Sequence, residues 1–453
     1  MYIENLGCAK NQVDGEAIVS VLLDRGWLLA KDPAEAALIV VNTCGFIEAA
    51  KKESVACVMG MRRLYPNARI IAAGCLSQRY GKELSDSLPE ADGVFGNRDL
   101  PAIADFAESI CRETRKKTSK REGEKPAAKS GRLLLPLNYA ELPPRRKTFS
   151  LPGSVYIKAA EGCGNACTYC AIPLIRGQLR SRSTNSIAAE VKDFLAKGCF
   201  EFNLVAQDLG AYGSDLNPPS GLPRLLSAIL DMDGDFRLRL LYIHPEHFPR
   251  EIIGLCRADP RLLPYFDLPF QHASPSVLGA MGRRQSAREN LNLVREIRAE
   301  LPDAVIRSTF LLGFPGETEE DFKALCDFQK AAAFDWLGCF PYSAEEDTLA
   351  YALHRKKALR VPKKTAAARK RAIEEAQAPI TEKRLDRFVG TFTRLLVEEN
   401  VEGEELALAR AWFQAPEVDG LTVLATDTPL APGTIVRARI TRRNGFDLEA
   451  AIL

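Results

Sequence analysis

Cys163, Cys167 and Cys170 lie in the stretch EGCGNACTYC with the spacing C-x-x-x-C-x-x-C. Four thiolates would hold every iron of an iron–sulfur cluster, so three leave one iron open to a cofactor or substrate. The competing chemistry is a zinc site completed by a distant Cys or His. Zinc usually draws on paired C-x-x-C spacings, and this chain offers one. Gly162 and Gly164 flank Cys163 and fit a loop better than a packed core. Three further cysteines are widely spaced: Cys8 in NLGCAKNQVDGE, Cys44 in VVNTCGFIEAAKKES and Cys75 in AAGCLSQRY. Each falls near the end of a predicted strand, and loops at the C-terminal edge of a parallel sheet converge. They could hold a second cluster with an open iron, although lone cysteines are also common as small buried hydrophobes. Cys57, Cys111, Cys199, Cys256, Cys326 and Cys339 are expected to be structural.

Positioning these thiols takes a large chain. Its 453 residues exceed one ordinary domain, and 46% apolar with 26% charged residues is the balance of a soluble protein with several cores. A net charge of +2 means that attraction to nucleic acid would have to come from local patches. No apolar run approaches the ~20 residues of a membrane span. The start, MYIENLGCAKNQ, lacks the basic-then-apolar pattern of a secretory signal. A cytoplasmic protein without a membrane segment is expected. There, twelve cysteines point to metal binding or catalysis rather than disulfides.

Hydrophobic patterning divides the chain into three domains. Residues 1–111 read as a small α/β (flavodoxin-like) domain, with buried strands ALIVVNTCGF and ARIIAAGCL around the amphipathic helix EAAKKESVACVMGMRRLY. Residues 112–149 read as a basic linker: RETRKKTSKREGEKPAAKSGR has no apolar period and is a tether or a phosphate contact. Residues 150–387 read as a partial (β/α)6 barrel of TIM type, with strands SVYIKAA, EFNLVAQD, RLRLLYIH, YFDLPFQH, AVIRSTFLLG and FDWLGCFPYS. Chemistry in such barrels sits at the C-terminal strand ends, and EGCGNACTYC follows the first strand. A charged helix from Val361 to Arg387 then leads to residues 388–453. There, FTRLLVEEN, LTVLATD, TIVRARIT and FDLEAAIL predict a small all-β barrel.

The cysteine spacing, its place after the first strand and STFLLGFPGET (Ser308–Thr318) resemble radical S-adenosylmethionine (SAM) enzymes. The resemblance implies that Cys163, Cys167 and Cys170 hold a 4Fe-4S cluster whose open iron binds SAM. One electron then cleaves SAM to methionine and a 5′-deoxyadenosyl radical, which removes hydrogen from an unactivated C–H bond. The motifs LGCAKNQVD, NTCGFI and GCLSQRY resemble those of the methylthiotransferases, implying a second 4Fe-4S cluster on Cys8, Cys44 and Cys75 that carries sulfur or a methylthio group. RAWFQAPEVDG and FDL resemble the TRAM barrel, a grip for an RNA or protein substrate.

Within that family, FDLPFQHASPSVLGAM, NTCGFIEAAKKES and AQDLGAYG resemble the branch that modifies the β-carbon of an aspartate in ribosomal protein S-twelve of the small subunit. The tRNA adenosine branch is the alternative, and a non-catalytic iron–sulfur RNA-binding protein a second one. A small reducing partner such as flavodoxin or ferredoxin is implied. Gln207 and Asp208 at one strand end, Arg307 and Thr309 on another strand, Gly313, Gly316 and Tyr169 are candidate SAM contacts; His272 is either catalytic or an ordinary strand-end histidine. The terminal barrel carries more acidic than basic residues, which suits a basic ribosomal protein better than an RNA backbone.

Overall fold

A computed structural model describes residues 1–112, 132–136 and 139–453. Of the basic linker, residues 113–131 and 137–138 lie outside the described residues. Two compact units divide the chain. The first is Met1–Phe149 with Gly162–Gly164 and Ala171–Gln178, and the second is the remainder from Ser150 to Leu453. Among the described residues no helix is long and apolar enough to cross a membrane.

The first unit is built on a parallel sheet in chain order, β1 (Tyr2–Asn5), β2 (Leu38–Thr43), β3 (Arg69–Gly74), β4 (Gly93–Phe95) and β5 (Leu133–Leu134). All of β2 is buried, so its continuous apolar run marks a strand covered on both faces. Leu38, Val40, Ile71 and Phe95 pack under α1 (Ala9–Asp24) and α4 (Ile103–Arg112). Alternate residues Ile39, Val41, Ile70 and Val94 pack under α2 (Glu48–Leu64) and α3 (Cys75–Ser87). The short helix α5 (Ile172–Arg176) belongs to this unit as well.

In the second unit a parallel sheet runs in the order β13-β12-β11-β10-β9-β6, open between its first and last strands. These strands are β6 (Ser154–Lys158), β9 (Glu201–Val205), β10 (Arg237–Leu240), β11 (Leu262–Asp267), β12 (Val305–Leu312) and β13 (Trp336–Pro341). The two short strands β7 (Ala160–Glu161) and β8 (Arg180–Ser181) pair separately. Helices α6 (Thr184–Ala196), α7 (Leu222–Leu230), α8 (Glu251–Ala258), α9 (Pro275–Ala280), α10 (Ala287–Glu300), α11 (Glu319–Ala332), α12 (Leu349–Arg355) and α13 (Lys363–Leu385) alternate with or follow them. Each predicted strand is present. A closed barrel, β14 (Phe392–Asn400), β15 (Leu406–Arg410), β16 (Thr422–Ala425), β18 (Asp447–Ile452) and β17 (Ile435–Asn444), ends the chain. Its second strand, LALAR, is additional to the predicted ones: it is short and follows the charged run VEGEE.

Inside the parallel sheet the early strand positions are charged. Glu201 on β9 binds Arg237 Nε at 2.7 Å and Arg239 Nη2 at 3.1 Å from β10, and Arg410 Nη1 from β15 at 2.7 Å. Asp419, from the same RAWFQAPEVDG loop as Arg410, accepts from Tyr265 of β11 at 2.7 Å and lies 3.6 Å from Arg307 of β12. The terminal barrel thus supplies charged groups that complete this interior.

Burial would push the Glu201 carboxyl up, but Arg237, Arg410 and Arg239 hold it well below the ordinary carboxylate range. A carboxyl depressed in this way adds stability that is present above its unfolded value and lost as pH falls through the folded one. Glu201→Gln should cost about 3–5 kcal/mol, because it leaves buried guanidiniums uncompensated. It should also flatten the acid limb of the second unit's stability profile. Thermal melts of wild type and variant from neutral to acid pH would show both effects, and a neutral-pH melt indistinguishable from wild type would contradict them.

Candidate metal centres and cofactor site

Three neighbouring strands deliver three cysteines. Cys8 follows β1 as the N-cap of α1, Cys44 follows β2, and Cys75 follows β3 as the first residue of α3. A glycine beside each lets the loops close. A Cβ on Gly7 (φ +92°) would stand 2.9 Å from Cys44 Cβ, and one on Gly45 2.6 Å from Leu76 Cα. Gly74 (φ +93°) leaves room for Asn42 Oδ1, which a Cβ would meet at 2.5 Å. Asn11 fastens two of the loops by donating to the carbonyls of Leu6 (2.7 Å) and Thr43 (3.2 Å). Ser54 Oγ accepts from the N–H of Cys44 at 3.0 Å.

Cys75 feels both Cys8 and Cys44 electrostatically, and Cys44 feels Cys8. Burial pushes the Cys75 thiol up to about 12, against the pull of Arg176. Cys44 is raised, again by burial, with the Phe46 N–H opposing. At Cys8, an exposed residue, desolvation by its surroundings acts upward, but Lys10, Arg176 and the N–H groups of Asn11 and Lys10 bring it below the ordinary thiol value. Among the described residues no three His, Cys, Asp or Glu side chains are drawn tightly enough together for a single metal ion. The test of fit is therefore donor chemistry. An all-sulfur set with glycine clearance suits an iron–sulfur cluster.

The second set lies after β6. The Cys163 N–H donates to the Gly177 carbonyl within the first unit. In the second unit the N–H of Cys170 closes a turn onto the Cys167 carbonyl at 3.1 Å. Thr168 anchors this turn by its N–H to Met281 O (3.0 Å) and its hydroxyl to Ala280 O (2.7 Å). Gly282 (φ +75°) admits the Ala166 carbonyl, which a Cβ would meet at 2.6 Å. Tyr169 packs among Val277, Met281 and Phe314, and its hydroxyl accepts from buried Arg283 at 3.0 Å.

The other candidate residues separate into two groups. Gln207, at the C-terminal end of β9, has both amide atoms buried and unpartnered, as a residue awaiting a ligand would. Thr309 is half-buried on the same side of β12 as Arg307. Asp208, by contrast, is spent within the protein. It accepts from Asn165 Nδ2 (2.8 Å), from the His244 and Gly210 N–H groups (3.1 Å each), and shares a 2.6 Å hydrogen bond with His247 Nδ1. Arg307 is near the start of its strand and lies 3.4 Å from Asp267, the last residue of β11, and 3.6 Å from Asp419. Gly313 makes its close approach to α13, where a Cβ on it would stand 2.5 Å from Ala366 Cβ, and its N–H donates to Glu317. Gly316 (φ +90°) donates to Leu359 O. His272 is buried, accepts the Ser274 N–H at Nδ1, and leaves Nε2 unpartnered 4.0 Å from Glu317; burial pulls its pKa down to about 4.

Residues 1–96 match the uncharacterized protein family UPF0004, 157–329 the radical SAM superfamily and 389–453 the TRAM domain. A protein of Treponema denticola named ribosomal protein uS12 methylthiotransferase RimO is 46% identical, over 98% of this chain and 98% of its own. The chain belongs to the RimO family. A RimO of Desulfosudis oleivorans is 41% identical over 99% of this chain and 98% of its own. The fold is also shared with the radical SAM methyltransferase TsrM of Kitasatospora setae, solved with cobalamin and a [4Fe-4S] cluster, at TM-score 0.54 and 17% identity over 75% of this chain and 74% of that one.

Three residues near the candidate site of this RimO-family chain carry no signal that sequence reasoning can use. Asn165 and His247 are single polar residues whose shared partner, Asp208, is revealed only by the fold. Arg176 follows the cysteine loop in AIPLIRGQ, where an arginine reads as a surface group, yet it is buried. The Asp208 hydrogen bond, opposed by burial, raises the pKa of His247. Asp208→Ala should therefore bring the His247 pKa, followed by NMR titration of the imidazole, back towards its ordinary value. It should also release Asn165 in the cysteine loop and lower the iron retained there; an unmoved histidine titration would contradict this network.

Proposed function

We propose that this protein is a radical SAM methylthiotransferase that modifies ribosomal protein uS12, at the β-carbon of an aspartate, using two 4Fe-4S clusters. What carries the reading is the presence of two separate three-thiol sets in one chain, with full-length relatives named for this activity. Cys163, Cys167 and Cys170 would hold the radical SAM cluster, and Cys8, Cys44 and Cys75 the auxiliary one. Residues 1–111 would act as the auxiliary-cluster domain, 150–387 as the radical SAM domain and 388–453 as the substrate grip. When bound, the clusters and SAM supply one-electron cleavage, hydrogen removal from carbon, and carriage of sulfur or a methylthio group.

The chain's own residues bind and orient. Unpartnered Gln207 offers an amide donor and acceptor to SAM, and Thr309 a hydroxyl. Tyr169, with Phe314 and Met281 around it, shields the cysteine turn from water. Asp208 acts through Asn165 as a positioning residue. A reducing partner such as flavodoxin or ferredoxin delivers the electrons.

A protein substrate is favoured by how the terminal barrel spends its cations. Of its six arginines, Arg394, Arg410, Arg442 and Arg443 are each paired with a carboxylate, Asp235, Glu201, Glu449 and Asp386 respectively, while Arg437 and Arg439 are exposed on β17. Phosphate-dominated binding needs such cations free.

Replacing Cys163, Cys167 and Cys170 with Ala should halve the iron from about eight atoms and abolish SAM cleavage. Replacing Cys8, Cys44 and Cys75 should leave 5′-deoxyadenosine formation detectable while methylthiolation stops. Four irons as the full load of the intact protein would defeat the two-cluster reading. Reconstituted enzyme given isolated uS12, intact small subunits and bulk tRNA in parallel should add a methylthio mass to the aspartate of uS12 alone. Methylthioadenosine in digested tRNA with uS12 unchanged would overturn the assignment.

A further inference from the structure

The environment of Cys75 differs from that of the other two thiols in its set. Cys8 and Cys44 draw on backbone N–H groups, of Asn11 and Lys10 and of Phe46 respectively. Cys75 Sγ instead receives a guanidinium: Arg176 Nη2 lies 3.1 Å away. Asn97 Nδ2 reaches the same sulfur at 3.6 Å. Arg176 is 2% exposed, and the same nitrogen lies 2.9 Å from Asp14 Oδ2 and 3.4 Å from Asn11 Oδ1 on α1. Burying a guanidinium is costly, and a charge retained only for cohesion could give way to an apolar side chain. Here the guanidinium pairs with Asp14 and, through the same nitrogen, reaches one sulfur, that of Cys75.

Its place in the chain adds a second observation. Arg176 ends α5, the helix that begins directly after Cys170 and Ala171. Ala171 and Ile175 are fully buried and pack with Cys75 as one small apolar group. The segment leaving the C-x-x-x-C-x-x-C loop therefore lies on the third thiol of the other set, with the one cation of α5 at the sulfur.

We propose that Arg176 is a positioning and tuning residue of the auxiliary cluster. Resting on the reading that Cys8, Cys44 and Cys75 hold a cluster, it donates a charge-assisted hydrogen bond to the Cys75 thiolate. That bond stabilises the reduced, more negative state and raises the cluster's reduction potential. Asp14 and Asn11 fix the guanidinium within hydrogen-bond reach of Cys75, while its charge also acts on Cys8 and Cys44. Asn97 adds a neutral donor to the same sulfur.

The test isolates the auxiliary cluster in full-length protein with Cys163, Cys167 and Cys170 replaced by Ala. Iron is counted first: about four atoms are expected, and none would defeat both the cluster reading and this inference. Redox titration followed by electron paramagnetic resonance then compares Arg176, Arg176→Lys and Arg176→Gln in that background. In Arg176→Gln the ratio of reduced to oxidised cluster at the parent midpoint should fall at least tenfold, a shift of about 59 mV for one electron. Arg176→Lys, which keeps a cation but not the planar fork, should fall between. A midpoint and spectrum unchanged in Arg176→Gln, with iron retained, would overturn the tuning role. Loss of iron from both variants while circular dichroism shows a folded chain would also overturn it, making Arg176 a support of the thiol loops only.

Discussion

One buried carboxylate sets the plan of the second unit. Glu201 has no exposure and is surrounded by three guanidiniums, two from the adjacent strand and one from the terminal barrel. None of these charges could stay buried alone, because desolvation of each costs several kcal/mol and only mutual pairing offsets it. Their demand fills the early part of the parallel sheet with ionic contacts. Gln207 and Asp208 follow the other end of β9, beyond these contacts.

The architecture is legible because its signals are local. Continuous buried runs such as LIVVNT and the apolar-strand, helix, apolar-strand rhythm mark parallel sheets whichever partners they choose. Cysteine spacing within EGCGNACTYC is equally local. For Cys8, Cys44 and Cys75 the signal comes from flanking motifs and strand ends, and the glycines that let their loops touch stand beside them in the sequence. LALAR is harder to see, since a short strand of small residues after an acidic run has neither strong period nor β-branched bulk.

What the sequence does not disclose is who partners whom. Asp208 reads as a cofactor contact because it ends a strand, and four donors, one from its own turn and three from two other segments, reach it. Arg307 reads similarly, but its alignment with Asp267 and its reach to Asp419 depend on pairing between distant segments. Gly313 reads as a place for close backbone approach, and it approaches α13, where a Cβ would stand 2.5 Å from Ala366 Cβ. In each case residue type predicts the need for a partner correctly, while identity is decided by contacts across long sequence separations. Arg176 is the converse. Its type gives no hint of burial, and only α5 lying against α3 brings it to a thiol.

The loop from Arg410 to Asp419 has a consequence for the order in which the chain is made. A ribosome releases Glu201, Arg237, Arg239, Tyr265 and Arg307 well before it releases the two residues that complete their pairing. Until the final segment emerges, the nascent parallel sheet holds an unbalanced cluster of buried charge and cannot reach its lowest free energy. A chain cut short before Arg410 keeps every cysteine but lacks the two groups that balance the charge inside its parallel sheet.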